Sequence, residues 1–245
     1  MAAALARGWA AGPGGPDAMV FCDIDAERAE ALAADVGGET RATLDGLREG
    51  SDVLLLAVKP AALEAVAGEL DGEAPAILSV LAVTPLARVA AAFPEVPVLR
   101  AMPNQPVEVR RGVICHPPPA AMPADLAAEL LALLDLLGVR VELADEEIDA
   151  AMAVMSCTPA YIALFAEALA GAGVREGLER RLAGGLVAET LAGTAALLRT
   201  RGPAAIRAAV ASPGGATDAG LGALVDAGFE RAVGAAVGAS LERFR

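Results

Sequence analysis

A run of six small residues near the carboxyl end, Ser212 to Thr217 with the sequence SPGGAT, has the composition of an anion-binding turn. Gly214 and Gly215 carry no Cβ, so a ligand can approach their backbone N–H groups closely. A helix beginning at Thr217 would add its positive N-terminus to the attraction. The turn could therefore hold an anion without an arginine, and it carries a hydroxyl at each end. Taken alone, the same run could equally be a helix C-cap and a linker.

A second group of polar or turn-forming residues follows short apolar runs in the first half of the chain. In chain order these are Asp23 after residues 18–22, Lys59 and Pro60 after residues 51–58, and Asn104 after residues 96–102. If the runs are parallel strands, they end at one edge of a sheet, where ligands of open α/β folds bind. The Lys-Pro pair is also an ordinary strand-to-helix turn, and Asp23 could instead cap the next helix.

The elements that would position these residues alternate in the first part of the chain. Short apolar runs predict strands at 18–22, 51–58, 75–82, 96–102, 112–116 and 140–143. Helical segments are predicted at 2–11, 25–36, 61–70, 86–93 and 124–138, with Asp25 as an N-cap. This alternation is typical of βαβ units around a parallel sheet.

After Glu147 the sequence contains no convincing strand. Helices are predicted at 148–171, 175–200, 203–211, 217–227 and 230–243, separated by glycine and proline. We therefore expect an α/β domain at 1–147 followed by an all-helical domain at 148–245. The later helices are rich in alanine and glycine and apolar on more than one face, which favours burial against a second copy as a homodimer.

Composition argues against several classes of partner. The net charge is −13, and no cluster of lysine and arginine is present to neutralise phosphates, so we expect no nucleic-acid partner. Cys22, Cys115 and Cys157 are widely spaced without a CxxC pair, so we expect neither a metal site nor disulfides, and a reducing cytoplasm fits best. The apolar runs are interrupted too often to predict a membrane span or a signal peptide.

Four motifs in order resemble pyrroline-5-carboxylate reductase, the family that reduces a cyclic imine to proline with a nicotinamide cofactor. They are AVKP at 57–60, AMPNQP at 101–106, TPAYIALFAEAL at 158–169, and SPGGAT. The resemblance covers essentially the whole chain. It implies a Rossmann-like, dinucleotide-binding α/β domain and an all-helical dimerisation and substrate domain, with NADPH or NADH as cofactor.

The resemblance also implies the site residues. The cofactor cleft would be lined by Val58, Lys59, Pro60, Met102, Pro103 and Asn104, and the substrate bound by Ser212, Gly214, Gly215, Ala216 and Thr217. Thr217 would hydrogen-bond the ring nitrogen of the imine, a positioning and polarising role because a neutral hydroxyl is a poor acid. In this family the loop of one subunit completes the site over the partner's nucleotide domain, so we expect activity to require the dimer.

The chain departs from the family pattern at several positions. The family typically reads Gly-x-Gly-Asn-Met-Ala after its first strand, and here only Met1 and Ala2 match, as the last two cofactor-loop positions. Either an internal methionine has been taken as the start, or the chain is a defective or repurposed relative. Ser156-Cys157-Thr158 replaces the usual Ser-Gly-Ser-Gly. Leu44 stands near where the family has an asparagine at the adenine-side ribose.

The preferred cofactor is indicated by the charged residues that follow the strand predicted at 18–22. Asp23 favours the ribose hydroxyls of NADH over a 2′-phosphate, and Arg28 is a turn too far on to receive that phosphate.

Two alternative functions are also considered. One alternative is a non-catalytic dimer that retains the scaffold and binds a small acid or a protein. The other, a β-hydroxyacid-type dehydrogenase, needs a lysine on a helix of the second domain. No lysine occurs after residue 150.

Overall fold

The computed structural model describes residues 1–244 in two compact units. The first comprises Met1–Cys157 with Phe244, and the second comprises Thr158–Arg243. The division falls after the predicted boundary at residue 147, because the next helix packs on the α/β unit. In that helix Ile148 and Met152 are buried in a cluster with Met102 and Cys115.

The α/β unit alternates helices and strands largely as predicted. Its elements are α1 Ala2–Ala10, β1 Val20–Phe21, α2 Ala26–Val36, β2 Glu39–Thr40, α3 Leu44–Arg48, β3 Leu54–Leu56, α4 Leu63–Glu69, β4 Ile77–Ser79, α5 Leu86–Ala92, β5 Val98–Arg100, β6 Met102–Pro103, β7 Gly112–His116, α6 Ala124–Asp135, β8 Gly138–Glu142 and α7 Ile148–Met155. Short 3-10 helices lie at Pro60–Ala62, Gln105–Val109 and Asp145–Glu147. The sequence analysis did not predict the strand β2 or the helix α3.

The strands form three hydrogen-bonded groups within the described residues. β1 pairs with β2, and β3, β4 and β5 lie side by side in that order, all parallel. β7 pairs in parallel with β8 and antiparallel with β6. The predicted parallel sheet is confirmed for most pairs. The single strand predicted at 96–102 was wrong at its end, because β5 stops at Arg100 and Met102 pairs instead with Cys115 of β7, in antiparallel orientation.

Two buried clusters explain why these elements form. Leu54, Ile77 and Val98, one from each strand of the central group, share a cluster, and that strand group is apolar enough to be covered by helices. The second cluster contains Leu5 and Trp9 of α1, and Leu5 is fully buried there. Trp9 donates its indole N–H to the Leu133 carbonyl of α6 at 2.8 Å. Trp9 thus ties α1 to α6 by a hydrogen bond.

The helical unit consists of five helices. They are α8 Thr158–Arg175, α9 Arg180–Leu198, α10 Pro203–Val210, α11 Ala216–Asp226 and α12 Phe229–Phe244. The all-helical prediction is confirmed, but the single helix predicted at 148–171 is interrupted at Ser156–Cys157 and continues to Arg175. Glu179 begins α9 by accepting the backbone N–H groups of Arg181 and Leu182, and these bonds lower the pKa of its carboxyl.

The helices of this unit bury very little of their apolar surface in a single copy. Among residues 158–244, Ala183 is the one helical residue that is fully buried, whereas Leu164 is 67% and Leu186 53% exposed. Two stretches, Asp145–Arg175 and Arg180–Leu198, have the length and apolar composition of a membrane span. So much exposed apolar surface requires a covering partner.

Candidate active site

The α/β unit has a candidate site at the edge where its parallel strands end. Val58 and Lys59 follow β3 and are exposed at this edge. Pro60 opens the short 3-10 helix after them, where its fixed φ and missing N–H are tolerated. Lys59 is the only lysine in the sequence, so this edge carries its one side-chain ammonium group.

The segment Met102–Asn104 lies beyond β5 and is buried. Its asparagine is committed to the protein itself, since Asn104 Oδ1 accepts the Val113 N–H at 2.9 Å and Nδ2 donates to the Met155 carbonyl at 3.1 Å. Asn104 therefore fixes the turn after β5 against β7 and the end of α7. Its contribution to a cofactor site, predicted from the resemblance, would be to hold this turn in place.

A buried arginine at the same edge was missed by the sequence analysis. The guanidinium of Arg100, at the end of β5, donates to Asp145 Oδ1 at 2.8 Å and to Asp149 Oδ1 at 3.3 Å, while its Nε has no partner in the described chain. Asp145 Oδ2 also accepts the Leu86 N–H that begins α5. The carboxylates lie about 45 residues along the chain, so no local pattern could have revealed the pairing.

Asp23 is exposed after β1, as predicted for a ribose-binding carboxylate. Its Oδ1 accepts the Asp25 N–H at 3.0 Å, so it also shapes the turn before α2, and Asp25 caps that helix as predicted by accepting the Arg28 N–H. Asp25, not Asp23, is therefore the N-cap of α2, so the alternative that Asp23 caps this helix was wrong, and its role at the ribose stays a prediction. Cys22 beside it is half-buried, and burial, followed by the charges of Glu69 and Asp23, raises the pKa of its thiol.

Arg41 is a cation at this edge that the sequence analysis did not identify. Its backbone N–H pairs with the Phe21 carbonyl at 2.9 Å, which places it beside the end of β1. Its guanidinium is partly exposed and pairs with Glu39 at 2.9 Å. The signal was hidden because β2, the two-residue strand that precedes Arg41, is too short to recognise from sequence.

The start of α1 can also accept an anion. Met1 is the N-cap of this helix and makes no side-chain cap, and the first turn, beginning with Ala2, contains no acidic residue. The first backbone N–H groups of a helix have no partner within it, so they are available to a phosphate. The donor set at Met1 and Ala2 therefore fits a pyrophosphate.

The helical unit contains its own candidate anion site, the SPGGAT loop. The Gly215 N–H closes a turn on the Ser212 carbonyl at 2.9 Å, and Gly214 has a φ of +71°, a left-handed conformation that favours glycine. α11 begins at Ala216, one residue before the predicted start, and its N-cap Gly215 makes no side-chain cap. Thr217 is exposed in the first turn. The predicted turn and helix N-terminus are both present.

His116 and Tyr161 have structural roles, because each makes hydrogen bonds within the protein. His116 ends β7 and is buried, with Nε2 3.2 Å from Arg140 Nη1 and Nδ1 2.9 Å from the Pro117 carbonyl. The Tyr161 hydroxyl is 2.6 Å from Ser240 Oγ, a hydrogen bond within the helical unit. No cluster of metal-ligating side chains occurs among residues 1–244.

Two protein families match successive parts of the chain. Residues 1–83 match the family described as NADP oxidoreductase, coenzyme F420-dependent. Residues 145–245 match pyrroline-5-carboxylate reductase dimerisation. The second match begins close to the predicted domain boundary and includes α7, which packs on the α/β unit.

Curated relatives and solved structures match over most of the chain. A pyrroline-5-carboxylate reductase of Synechocystis is 40% identical over 79% of this chain and 74% of its own length, and one of Treponema pallidum is 36% identical over 98% and 95%. The crystal structure of the Streptococcus pyogenes enzyme superposes with a TM-score of 0.88 at 29% identity, covering 100% of this chain and 94% of that one. A Plasmodium falciparum structure with NADP bound, 24% identical, shares the fold with a TM-score of 0.85 over 98% of this chain and 92% of that one.

Proposed function

The chain belongs to the pyrroline-5-carboxylate reductase family, and from this premise we propose that it reduces 1-pyrroline-5-carboxylate to L-proline with NADH or NADPH. The substrate is a small ring that carries an imine and a carboxylate, and the reaction adds a hydride to the imine carbon and a proton to the nitrogen. A non-catalytic role for the scaffold is not favoured, since relatives that bear this activity in their names match nearly the full length.

The observation that carries the proposal is the uncapped start of α11. Its first-turn N–H groups follow a glycine turn and receive no side-chain cap from Gly215. An anion at this position gains hydrogen bonds and the favourable end of the helix dipole. These groups bind the substrate carboxylate without a cation, which leaves the ring to be oriented by neighbouring hydroxyls.

Thr217 lies in that same first turn. Its exposed hydroxyl donates a hydrogen bond to the nitrogen of the neutral imine or accepts one from the N–H of the protonated iminium, and either bond fixes the orientation of the imine carbon. Ser212, at the other end of the turn, offers a second exposed hydroxyl. Because neither group is acidic enough to supply the proton by itself, the proton comes from the already protonated iminium or from water. Rate enhancement then arises mainly from the orientation of two bound reactants.

The residues at the edge of the sheet would hold the cofactor. The uncapped N–H groups at the start of α1 receive the pyrophosphate, and Val58, Lys59 and Pro60 with the Met102–Asn104 turn line the cleft. When bound, the reduced nicotinamide supplies the hydride. Arg100 and Asn104 keep this edge rigid through their bonds to Asp145 in the 3-10 helix and to the Met155 carbonyl at the end of α7.

Either NADH or NADPH fits the charges at the adenine end. Asp23 favours ribose hydroxyls and repels a 2′-phosphate, whereas Arg41, beside the end of β1, supplies a cation that could receive it. Arg41 is already paired with Glu39, which weakens that attraction. The balance favours NADH.

We also propose that the chain functions as a homodimer or a higher homo-oligomer in the cytoplasm. The match to a dimerisation domain supports self-association. The exposed apolar side chains of α8 and α9, which line an open groove of about 360 Å³, supply the surface to be buried. A second copy covers this surface without a membrane or a nucleic-acid partner.

The direct test is turnover by the purified chain. With 1-pyrroline-5-carboxylate present, the absorbance of reduced nicotinamide should fall and L-proline should accumulate in equal amount. Omission of the imine is the control for background oxidation. If neither NADH nor NADPH is oxidised by the folded protein, the proposed function is wrong.

A further inference from the structure

The SPGGAT loop already contains an anion of its own. The Asp218 carboxylate, in the first turn of α11, accepts the Gly214 backbone N–H through Oδ2 at 2.9 Å. Both residues are exposed, and Asp218 forms no ion pair with any cation among residues 1–244. A negative charge therefore sits, without a counter-charge, in the turn that is proposed to receive the substrate carboxylate.

This charge affects a carboxylate ligand in two ways. First, it occupies the Gly214 N–H, one of the bare amides for which the glycine turn is suited. Second, it lies beside the uncapped first-turn amides of α11, which begin at Ala216. A second carboxylate placed there must either displace Asp218 from Gly214 or bind next to a like charge, and both lower its affinity.

Resting on the proposed function, we propose that Asp218 is a specificity-determining residue that competes with the substrate carboxylate for the SPGGAT loop. Its side chain keeps the turn formed while the site is empty, because it supplies an acceptor that a ligand later replaces or opposes. The cost falls on carboxylated ligands alone. An imine ring without a carboxylate does not experience this competition.

The test is the substitution Asp218→Asn. Asparagine retains an oxygen that can accept the Gly214 N–H, so the turn persists while the charge is lost. We expect the KM for 1-pyrroline-5-carboxylate to fall by about two- to five-fold, the range expected for one charge at a helix N-terminus, with kcat nearly unchanged. Raising the ionic strength should shrink the difference between variant and wild type.

Two comparisons separate this effect from a general change. The kcat/KM for 1-pyrroline, which lacks the carboxylate, should not rise in Asp218→Asn, because the substitution removes no competitor for this substrate and can only weaken attraction to its iminium. Asp226→Asn, which removes the same charge from the far end of α11, should leave both substrates unaffected. Asp218→Ala provides a second variant that removes the internal acceptor entirely and should lower the KM for the carboxylated imine as well.

The outcomes also separate this inference from the proposed function. If the wild type reduces 1-pyrroline-5-carboxylate but its KM is the same in both Asp218 variants, the competition by Asp218 is refuted and the function stands. An equal gain for 1-pyrroline would likewise refute it, because the effect would then not involve the carboxylate. If the wild type turns over neither imine, both proposals fall.

Discussion

The hydroxyl of Thr217 is the side-chain group closest to the chemistry in this account. It lies in the first turn of α11, next to the backbone amides that would bind the substrate carboxylate. A ring held at its carboxylate can still rotate, and a hydrogen bond to the nitrogen removes that freedom. Orientation of this kind is where a small, flat substrate gains most from the protein.

Replacing Thr217 by valine should therefore impair turnover without unfolding the loop. Valine has the same shape but no hydroxyl, and we expect kcat/KM for 1-pyrroline-5-carboxylate to fall by about 10- to 100-fold, as when one hydrogen bond to the substrate is lost. Thr217→Ser keeps the hydroxyl and should retain most activity. Steady-state kinetics of the two variants decide the matter, and a Thr217→Val enzyme as active as wild type would remove Thr217 from the mechanism.

At the level of single residues, the sequence predicted the backbone conformation of the candidate site better than the hydrogen bonds and ion pairs of its side chains. The glycine turn and the helix start at SPGGAT were predictable because glycine and the N-terminus impose local geometry. The hydrogen bond from the Gly214 N–H to Asp218 is also local, because the two residues are only four apart. The sequence analysis missed it because it assigned the glycine N–H groups to a bound ligand. The two bonds of Asn104 and the ion pairs of Arg100 join distant segments, so only the fold reveals them.

Among the elements, β5 and α7 are held together by the most strongly buried charge in the α/β unit. Arg100 is 1% exposed and pairs with Asp145 and Asp149, one of which also caps α5. The ion pair thus joins three elements that bear or support the rim of the sheet. Removing the cation leaves two carboxylates facing each other in a partly buried position.

The substitution Arg100→Met should consequently destabilise the α/β unit. We expect the free energy of unfolding to fall by about 2 to 4 kcal/mol, toward the lower end of the range for breaking a buried pair because Asp149 is partly exposed. Urea unfolding followed by circular dichroism measures this. Arg88→Met, which breaks the exposed pair with Glu64, is the matched control and should change the midpoint little. Equal midpoints for both variants would contradict the role given to Arg100.

Element type was largely predictable, and element boundaries and pairing were not. Long periodic helices such as α2 and α6 agree with the sequence prediction because caps and apolar spacing are local signals. The two-residue strands β1, β2 and β6 are defined only by hydrogen bonds to their neighbours. The antiparallel pairing of β6 with β7 was missed for that reason.

For the whole molecule, the exposed apolar surface of the helical unit is the dominant feature. α9 presents Leu182 and Leu186 four residues apart on one face, both about half exposed. Their placement in water would be unfavourable, so self-association is the expected state. The sequence predicted this surface, because the later helices are rich in alanine and glycine and apolar on more than one face. Five such helices cannot bury all of their apolar side chains against one another.

Charging that face should prevent association. We expect the wild type to sediment as a dimer or a larger assembly and the double variant Leu182→Asp, Leu186→Asp to sediment at the mass of one chain. Analytical ultracentrifugation gives both masses, and circular dichroism checks that the variant remains helical. A wild type that is monomeric at all concentrations, or a variant that keeps the assembled mass, would contradict this use of the surface.

The most direct test of the central claim follows the hydride itself. Purified protein is supplied with 1-pyrroline-5-carboxylate and with NADH or NADPH deuterated at the transferring position of the nicotinamide, and the product is analysed by NMR. We expect L-proline carrying deuterium at C5, the former imine carbon, in proportion to the cofactor oxidised. Proline without deuterium, or no proline from a folded and assembled protein, would contradict the account.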